Sequence, residues 1–248
     1  QIRLRAGVTD YAHDEIEGGV VGTTFRNDGY DLRLDVEHAP LGRWHGVAGF
    51  QAAQSEFSAL GLESFLPPSV TDTLGAFVLE EYRAAGWRAE LALRQEWQDV
   101  EVEGEDAWAE HRSLSASAAL TWNASDALIV ALSIAHAQRG PTAQELYADG
   151  VHLATNTYEI GDPQLEQETL RGLDVTLRRS VDRWAFSASL YRNEISNYIY
   201  AETLDRFEDF QLIRYAQRDA VFTGVDLAAS FALAERRQAA VYGGFVRG

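Results

Sequence analysis

Apolar and polar residues alternate along much of this chain with a period of two. From Trp87 to Trp97 the odd positions read Trp87, Ala89, Leu91, Leu93, Gln95 and Trp97, and the even ones Arg88, Glu90, Ala92, Arg94 and Glu96. Side chains alternate across a strand, so this stretch predicts a β-strand with one apolar and one charged face. The pattern recurs. Ile2, Leu4, Ala6 and Val8 alternate with Arg3, Arg5, Gly7 and Thr9, and Tyr30, Leu32, Leu34 and Val36 with Asp31, Arg33, Asp35 and Glu37. Similar alternation runs through Leu114–Trp122, Leu173–Leu177, Trp184–Leu190 and Val225–Ala229. No helical pattern of comparable strength is present, and about eleven long strands are expected from the alternation.

The connectors predict which kind of all-β protein this is. Residues 39–43, 84–86, 123–127, 180–183 and 234–238 are short and turn-like. Between them lie long segments at 10–29, 57–72, 99–112, 138–168 and 196–219. Short turns at one end and long loops at the other are the signature of an antiparallel transmembrane β-barrel, with periplasmic turns and external loops. Trp87 and Trp97 are ten residues apart, which is ~33 Å along a strand and ~23 Å in height at a tilt of ~45°. That matches the ~25 Å apolar band between aromatic girdles. The Trp-ended face is therefore expected to meet outer-membrane lipid, since the opposite registry would place Arg88 and Arg94 there. A soluble β-sandwich binding or adhesion module is the alternative from another class.

Composition narrows the functions. There are 38 acidic residues against 21 basic ones, giving a net charge of −17, and every basic residue is Arg. Phosphate-backbone binding needs a basic face, so no nucleic-acid partner is expected. Without Cys there are no disulfides or thiolate metal sites. No nucleophile elbow, phosphate loop or dinucleotide fingerprint is present, so an enzyme is not expected.

The metal-ligand chemistry sits in the long segments. His152 lies alone in Gly-Val-His-Leu-Ala-Thr-Asn-Thr, with Asp149 and Glu159 nearby. Neutral imidazole with carboxylates suits zinc, iron or copper, although a lone loop His is more often a solvated side chain. His13, Asp14 and Glu15 form a second candidate in the first long segment, where Glu17 is as plausible a ligand as Glu15. A third segment carries Glu103, Glu105, Asp106 and His111 among other acids. Its charge would concentrate cations at an external mouth, an effect that salt weakens. His136 continues the outward face of its strand; His38 and His45 flank a short turn and read as structural.

Residues 139–165 resemble the TonB-dependent outer-membrane receptors, in the branch shared by haem and zinc receptors. Haem receptors carry a Phe-Arg-Ala-Pro box, a His and an Asn-Pro-x-Leu box. The matching positions here are Gln138-Arg139-Gly140-Pro141, His152 and Asp162-Pro163-Gln164-Leu165, so three box residues differ. The wording from Tyr147 to Gly161 is closer to the zinc-uptake receptors, as are His13-Asp14-Glu15, His38 to Gly42, Tyr191 to Asn193, Asn197 to Ala201, Arg214-Tyr215 and Tyr242 to Gly248. The resemblance implies a 22-stranded barrel of the Gram-negative outer membrane, of which residues 1–248 would be a central portion without the plug and C-terminal strands. It also implies a TonB partner engaged through the missing N-terminal part. No intrinsic cofactor is implied. The transported ligand would be zinc or a zinc complex, held by His152 and Glu15, with haem or an iron siderophore as the alternative.

Overall fold

The computed structural model describes residues 1–62, 64–104, 107–234 and 237–248. The Glu17 side chain, Glu105 and Asp106, all named above, lie outside what is described. Seven strands follow one another as antiparallel neighbours: β1 (Ile2–Glu17), β2 (Val20–Glu37), β3 (Trp44–Gly61), β4 (Ser69–Ala84), β5 (Trp87–Val102), β6 (Ala107–Ser125) and β7 (Leu128–Arg139). After β7 the chain forms a loop holding helix α1 (Ala143–Tyr147) and two short strands, β8 (Asp149–His152) and β9 (Thr157–Ile160). It then continues as β10 (Glu168–Val181), β11 (Trp184–Phe207), β12 (Phe210–Ala234) and β13 (Arg237–Arg247), with β10 antiparallel to β7. One open, 13-stranded sheet results, in which eleven strands are long and β8 and β9 have four residues each. The sheet is not closed: among the described residues β1 pairs only with β2 and β13 only with β12.

The two faces follow the alternation. On β5, Leu91, Leu93 and Trp97 are exposed on the outward face. Arg88 and Arg94 point to the other face, where they pair with Glu90 (3.1 Å) and Glu96. Arg33 and Arg5 likewise converge on Asp35. Charges facing a polar lumen in pairs, with apolar side chains facing out, is the arrangement a membrane barrel requires. At the short-turn end, aromatic rings are packed along the outward face. Trp87 stacks on Trp122 at 5.3 Å, Trp44 meets Tyr82 at 5.1 Å, and Trp184 meets Phe231 at 4.7 Å.

Four of the five long segments differ from loops. β1 and β2 run on to a Gly18-Gly19 turn, β11 and β12 run to a turn at Glu208-Asp209, and β3/β4 and β5/β6 also extend well into theirs. Beyond the lipid band both faces of a hairpin can be polar, so the backbone pairing continues without the alternation that reveals it. Residues 140–167 form a long folded loop, and buried residues collect beneath it, among them Phe65 and Leu66 from the connector between β3 and β4. Phe25, Ala59, Phe65, Leu66 and Val100 pack with Ala143 and Ala148, while Leu146, Leu165 and Ile199 form an adjoining cluster.

Candidate functional site

The loop is closed by the residue that precedes it, the last of β7. Arg139 donates to Glu168 Oε2 (2.7 Å) and to both carboxylate oxygens of Glu145 (2.8 and 3.1 Å). Glu168 is its cross-strand partner at the start of β10, so one guanidinium joins the two ends of the loop and its helix. Thr142 and Glu145 cap α1 reciprocally, each side chain bonding the other's backbone N–H. Burial disfavours the Glu145 carboxylate, but the bonds from Arg139 and Thr142 outweigh this and hold its pKa below the usual range.

The start of the second box is held to helix α1 and its C-cap. The Asp162 N–H donates to Glu145 O (3.0 Å), and Gly161 N–H to Ala148 O (2.6 Å). A Cβ on Gly161 would lie 2.6 Å from the Leu146 carbonyl, so the contact needs glycine. Gly140, where the haem box has alanine, is as crowded. A Cβ there would meet Gln98 Oε1 at 2.8 Å and His111 Cβ at 3.0 Å.

His152, at the end of β8, faces Glu159 on β9. Its Nδ1 is 2.9 Å from Glu159 Oε1. A carboxylate only accepts, so Nδ1 donates, and in the neutral form of the ring the lone pair would sit on Nε2. Glu159 is 2% exposed and fully engaged. Thr157 also donates to Oε1 (3.1 Å), while Gln144 (2.7 Å) and Tyr215 (2.9 Å) donate to Oε2. Burial pushes the Glu159 pKa up, and the bonds from Gln144, His152 and Tyr215 more than reverse it, leaving a net lowering. The Tyr215 hydroxyl, buried beside that carboxylate, is pushed up. The imidazole ring lies flat on Phe65, with centroids 4.3 Å apart and planes 8° apart.

The other candidates separate. His13 and Glu15 share the inner face of β1, 3.8 Å apart, and His13 stacks on Phe25 at 4.8 Å. Asp14 points to the opposite face and accepts from Thr24 at 2.7 Å. Between His13 and His152 stand three rings in sequence, Phe25, Phe57 and Phe65, with successive contacts at 6.4 and 6.2 Å. Among the described residues no three His, Asp or Glu side chains converge on one point. Asp149 turns away from His152 and takes a bond from Tyr158 (2.9 Å). Glu103 is an exposed turn residue after β5. His111 sits on β6 beneath Gly140, away from that turn, with a buried Nε2 that has no partner. Burial lowers its pKa. Sequence reasoning had no signal for Phe65 or for the Tyr215–Glu159 bond. Glu159 was marked in the sequence, with Asp149, as a carboxylate near His152, while its burial and its four donors were not.

A wall of long antiparallel strands, apolar outside and ionic inside, with a folded loop presenting a histidine on one rim, defines a membrane β-barrel of the receptor class. Residues 3–246 match the family described as "TonB dependent receptor-like, beta-barrel", and the chain belongs to that family. Its members are outer-membrane transporters and not enzymes. Among curated proteins, the Heme/hemopexin utilization protein C of Haemophilus influenzae (strain 86-028NP) is 23% identical over 150 residues, covering 54% of this chain and 21% of that protein. Among solved structures, the copper transporter OprC superposes with a TM-score of 0.77 at 16% identity, over 98% of this chain and 43% of that one. The Serratia marcescens hemophore receptor HasR, solved with its hemophore HasA and heme, gives 0.73 at 14% identity, over 91% and 42%. The chain thus spans less than half the length of these relatives.

Proposed function

We propose that this chain is the ligand-binding part of the barrel of a TonB-dependent importer, and that His152 binds the metal of an incoming complex, haem foremost. The observation that carries this reading is the His152–Glu159 pair. It occupies Nδ1, so Nε2 is the nitrogen a neutral ring would offer to a metal such as a macrocycle-bound iron. The flat stack on Phe65 adds an apolar, aromatic wall suited to a porphyrin edge. Relatives named for haem utilisation and for a heme complex support the same chemistry. Capture at the mouth would be followed by inward passage past a plug driven through TonB.

Zinc is the second reading. It is favoured by the His13–Glu15 pair, which offers a nitrogen and an oxygen 3.8 Å apart on the same inner face. Haemin and zinc titrations of the whole receptor and its His152→Ala and His13→Ala variants separate the two. Haem uptake predicts that the His152→Ala variant loses haemin affinity by roughly tenfold or more with zinc binding unaltered. Loss of zinc binding in the His13→Ala variant with haemin unaffected would establish the zinc reading instead.

A further inference from the structure

β11 is interrupted close to where it leaves the lipid band. Ile195 pairs with Ala220 and Tyr198 with Arg218 on β12, so Ser196 and Asn197 together oppose Asp219 alone. This is a β-bulge, an insertion that bends its strand and raises the local twist. Asn197 holds the left-handed conformation, with φ 55°. Among the described residues it is the one non-glycine residue inside a strand to do so, since Asp182 and Glu208 lie in turns and Asn156 ends the short helical turn after His152. Asparagine tolerates that region better than most side chains. The Asn197 N–H donates to Asp219 Oδ1 (3.1 Å), and its carbonyl accepts from Gln217 Nε2 (3.0 Å).

The hairpin faces different surroundings on the two sides of this bulge. Below it, Leu190 of β11 and Val221 and Leu227 of β12 are exposed on the outward face. β12 keeps its alternation upward from there, yet the same side of that strand now carries Gln217, Tyr215 and Ile213 against residues 140–167. Ile213 is buried, Tyr215 donates to Glu159 (2.9 Å), and Gln217 bonds both the N–H (2.9 Å) and the carbonyl (2.6 Å) of Glu166. The hairpin has therefore rolled about its own axis between the lipid band and the mouth, and the added twist of the bulge supplies such a roll. On β11 the extra residue makes Ile199 and Ala201 the partners of Gln217 and Tyr215. The end of the mouth loop is fastened at the same place. Asn197 Nδ2 donates to Glu166 Oε2 (3.1 Å), and the Ile199 N–H to Glu168 Oε1 (2.6 Å), whose other oxygen is held by Arg139.

We propose that Asn197 is a positioning residue for His152: its left-handed backbone rolls the β11–β12 hairpin so that Tyr215 reaches Glu159, and Glu159 orients the imidazole. The inference rests on the reading of His152 as the metal donor. It is tested in the whole receptor with Asn197→Val, Asn197→Gly, Tyr215→Phe and the double variant Asn197→Val/Tyr215→Phe. A β-branched residue is strained at positive φ, whereas glycine adopts it freely. Soret-band titration should show Asn197→Val binding haemin no better than Tyr215→Phe, and about tenfold more weakly than the parent. Asn197→Gly should stay within about twofold of the parent, because it keeps the backbone turn. The double variant should bind no more weakly than Asn197→Val, since residues acting through one path do not add. Amide exchange at residues 157–160 without haemin should be faster in Asn197→Val and parental in Asn197→Gly. Heat-modified electrophoretic mobility reports whether each barrel is folded, and Asn197→Ala, less strained than valine, is a second substitution with the same expected direction. Parental affinity or parental exchange in the folded valine and alanine variants, equal losses for glycine and valine, or additive losses in the double variant would overturn the proposal. Parental haemin binding by His152→Ala would instead overturn the reading of the site, and the exchange experiment would still decide whether Asn197 places the hairpin.

Discussion

Replacing Glu159 by glutamine tests whether the carboxylate sets the metal-binding state of His152. Glu159 accepts on Oε1 from His152 and Thr157, and on Oε2 from Gln144 and Tyr215. An amide has one accepting oxygen and must place its NH2 on the other side. With the oxygen towards Gln144 and Tyr215, the NH2 faces His152 Nδ1, the imidazole must accept there, and its proton moves to Nε2, where it blocks the metal. With the oxygen towards His152, the NH2 meets the Gln144 NH2, and a buried donor goes unpaired at about 1–3 kcal/mol. Either orientation has a cost. A metal-ligating His that loses its orienting partner forfeits about 10–100-fold in affinity, or about 1.4–2.7 kcal/mol. The assay is a Soret-band titration of haemin against the whole receptor, its Glu159→Gln form and its Tyr215→Phe form. The tyrosine variant keeps the carboxylate and should fall between the other two. Glu159→Gln binding within twofold of the parent, while His152→Ala fails to bind, would refute this account of how Glu159 acts.

Arg139→Ala should free both ends of the mouth loop; because the guanidinium is nearly half exposed, each lost pair is discounted to about 1 kcal/mol, visible as faster hydrogen exchange at residues 143–147. Glu145 has a depressed pKa in the folded loop, so its stabilisation is fully present above the unfolded value of 4.5 and fades as pH falls through the lower folded value. Exchange at those amides should therefore accelerate on acidification below that value, and Glu145→Gln should lack this acceleration. Gly161→Ala must displace backbone, since its Cβ would meet the Leu146 carbonyl carbon and oxygen at 2.6 Å. A loss of about 1–3 kcal/mol is expected, read as reduced protection of the loop with the barrel's heat-modified mobility preserved. Leu91→Arg places a charge near the middle of the lipid band, at about 2–4 kcal/mol, whereas Ala92→Arg puts it in the lumen; folding yields into vesicles should fall for the first variant only.

The wall was legible because lipid imposes a rule on every second residue. Trp87 to Trp97, or Leu128 to Ala135, could satisfy that rule only as a strand with one apolar side. The rule lapses above the rim, so β1 beyond Asp10 and β11 beyond Ser196 read as loops although they are paired strands. The mouth loop was legible in its boxes and in His152. Its internal geometry was not, because it depends on contacts between residues far apart in the chain. Glu159 meets Tyr215 across 56 positions, and His152 meets Phe65 across a still longer separation. Neither pairing leaves a periodicity. The acidic run around Glu103 misled in a simpler way. Charge alone marked it as an open loop, while His111 within it belongs to a strand and is covered by Gly140.

The short strand β9 has a mechanical consequence. Residues 157–160 run parallel to residues 211–214 of β12, and β9 carries Glu159 and, through β8, His152. Tension directed along the barrel axis on a ligand held at His152 reaches the wall through this ladder. The bonds of a parallel ladder are evenly spaced and slanted. On the proposed function, a cargo bound at His152 and drawn inward would load this ladder, and the loop would serve as an anchorage that stays with the wall for the next ligand.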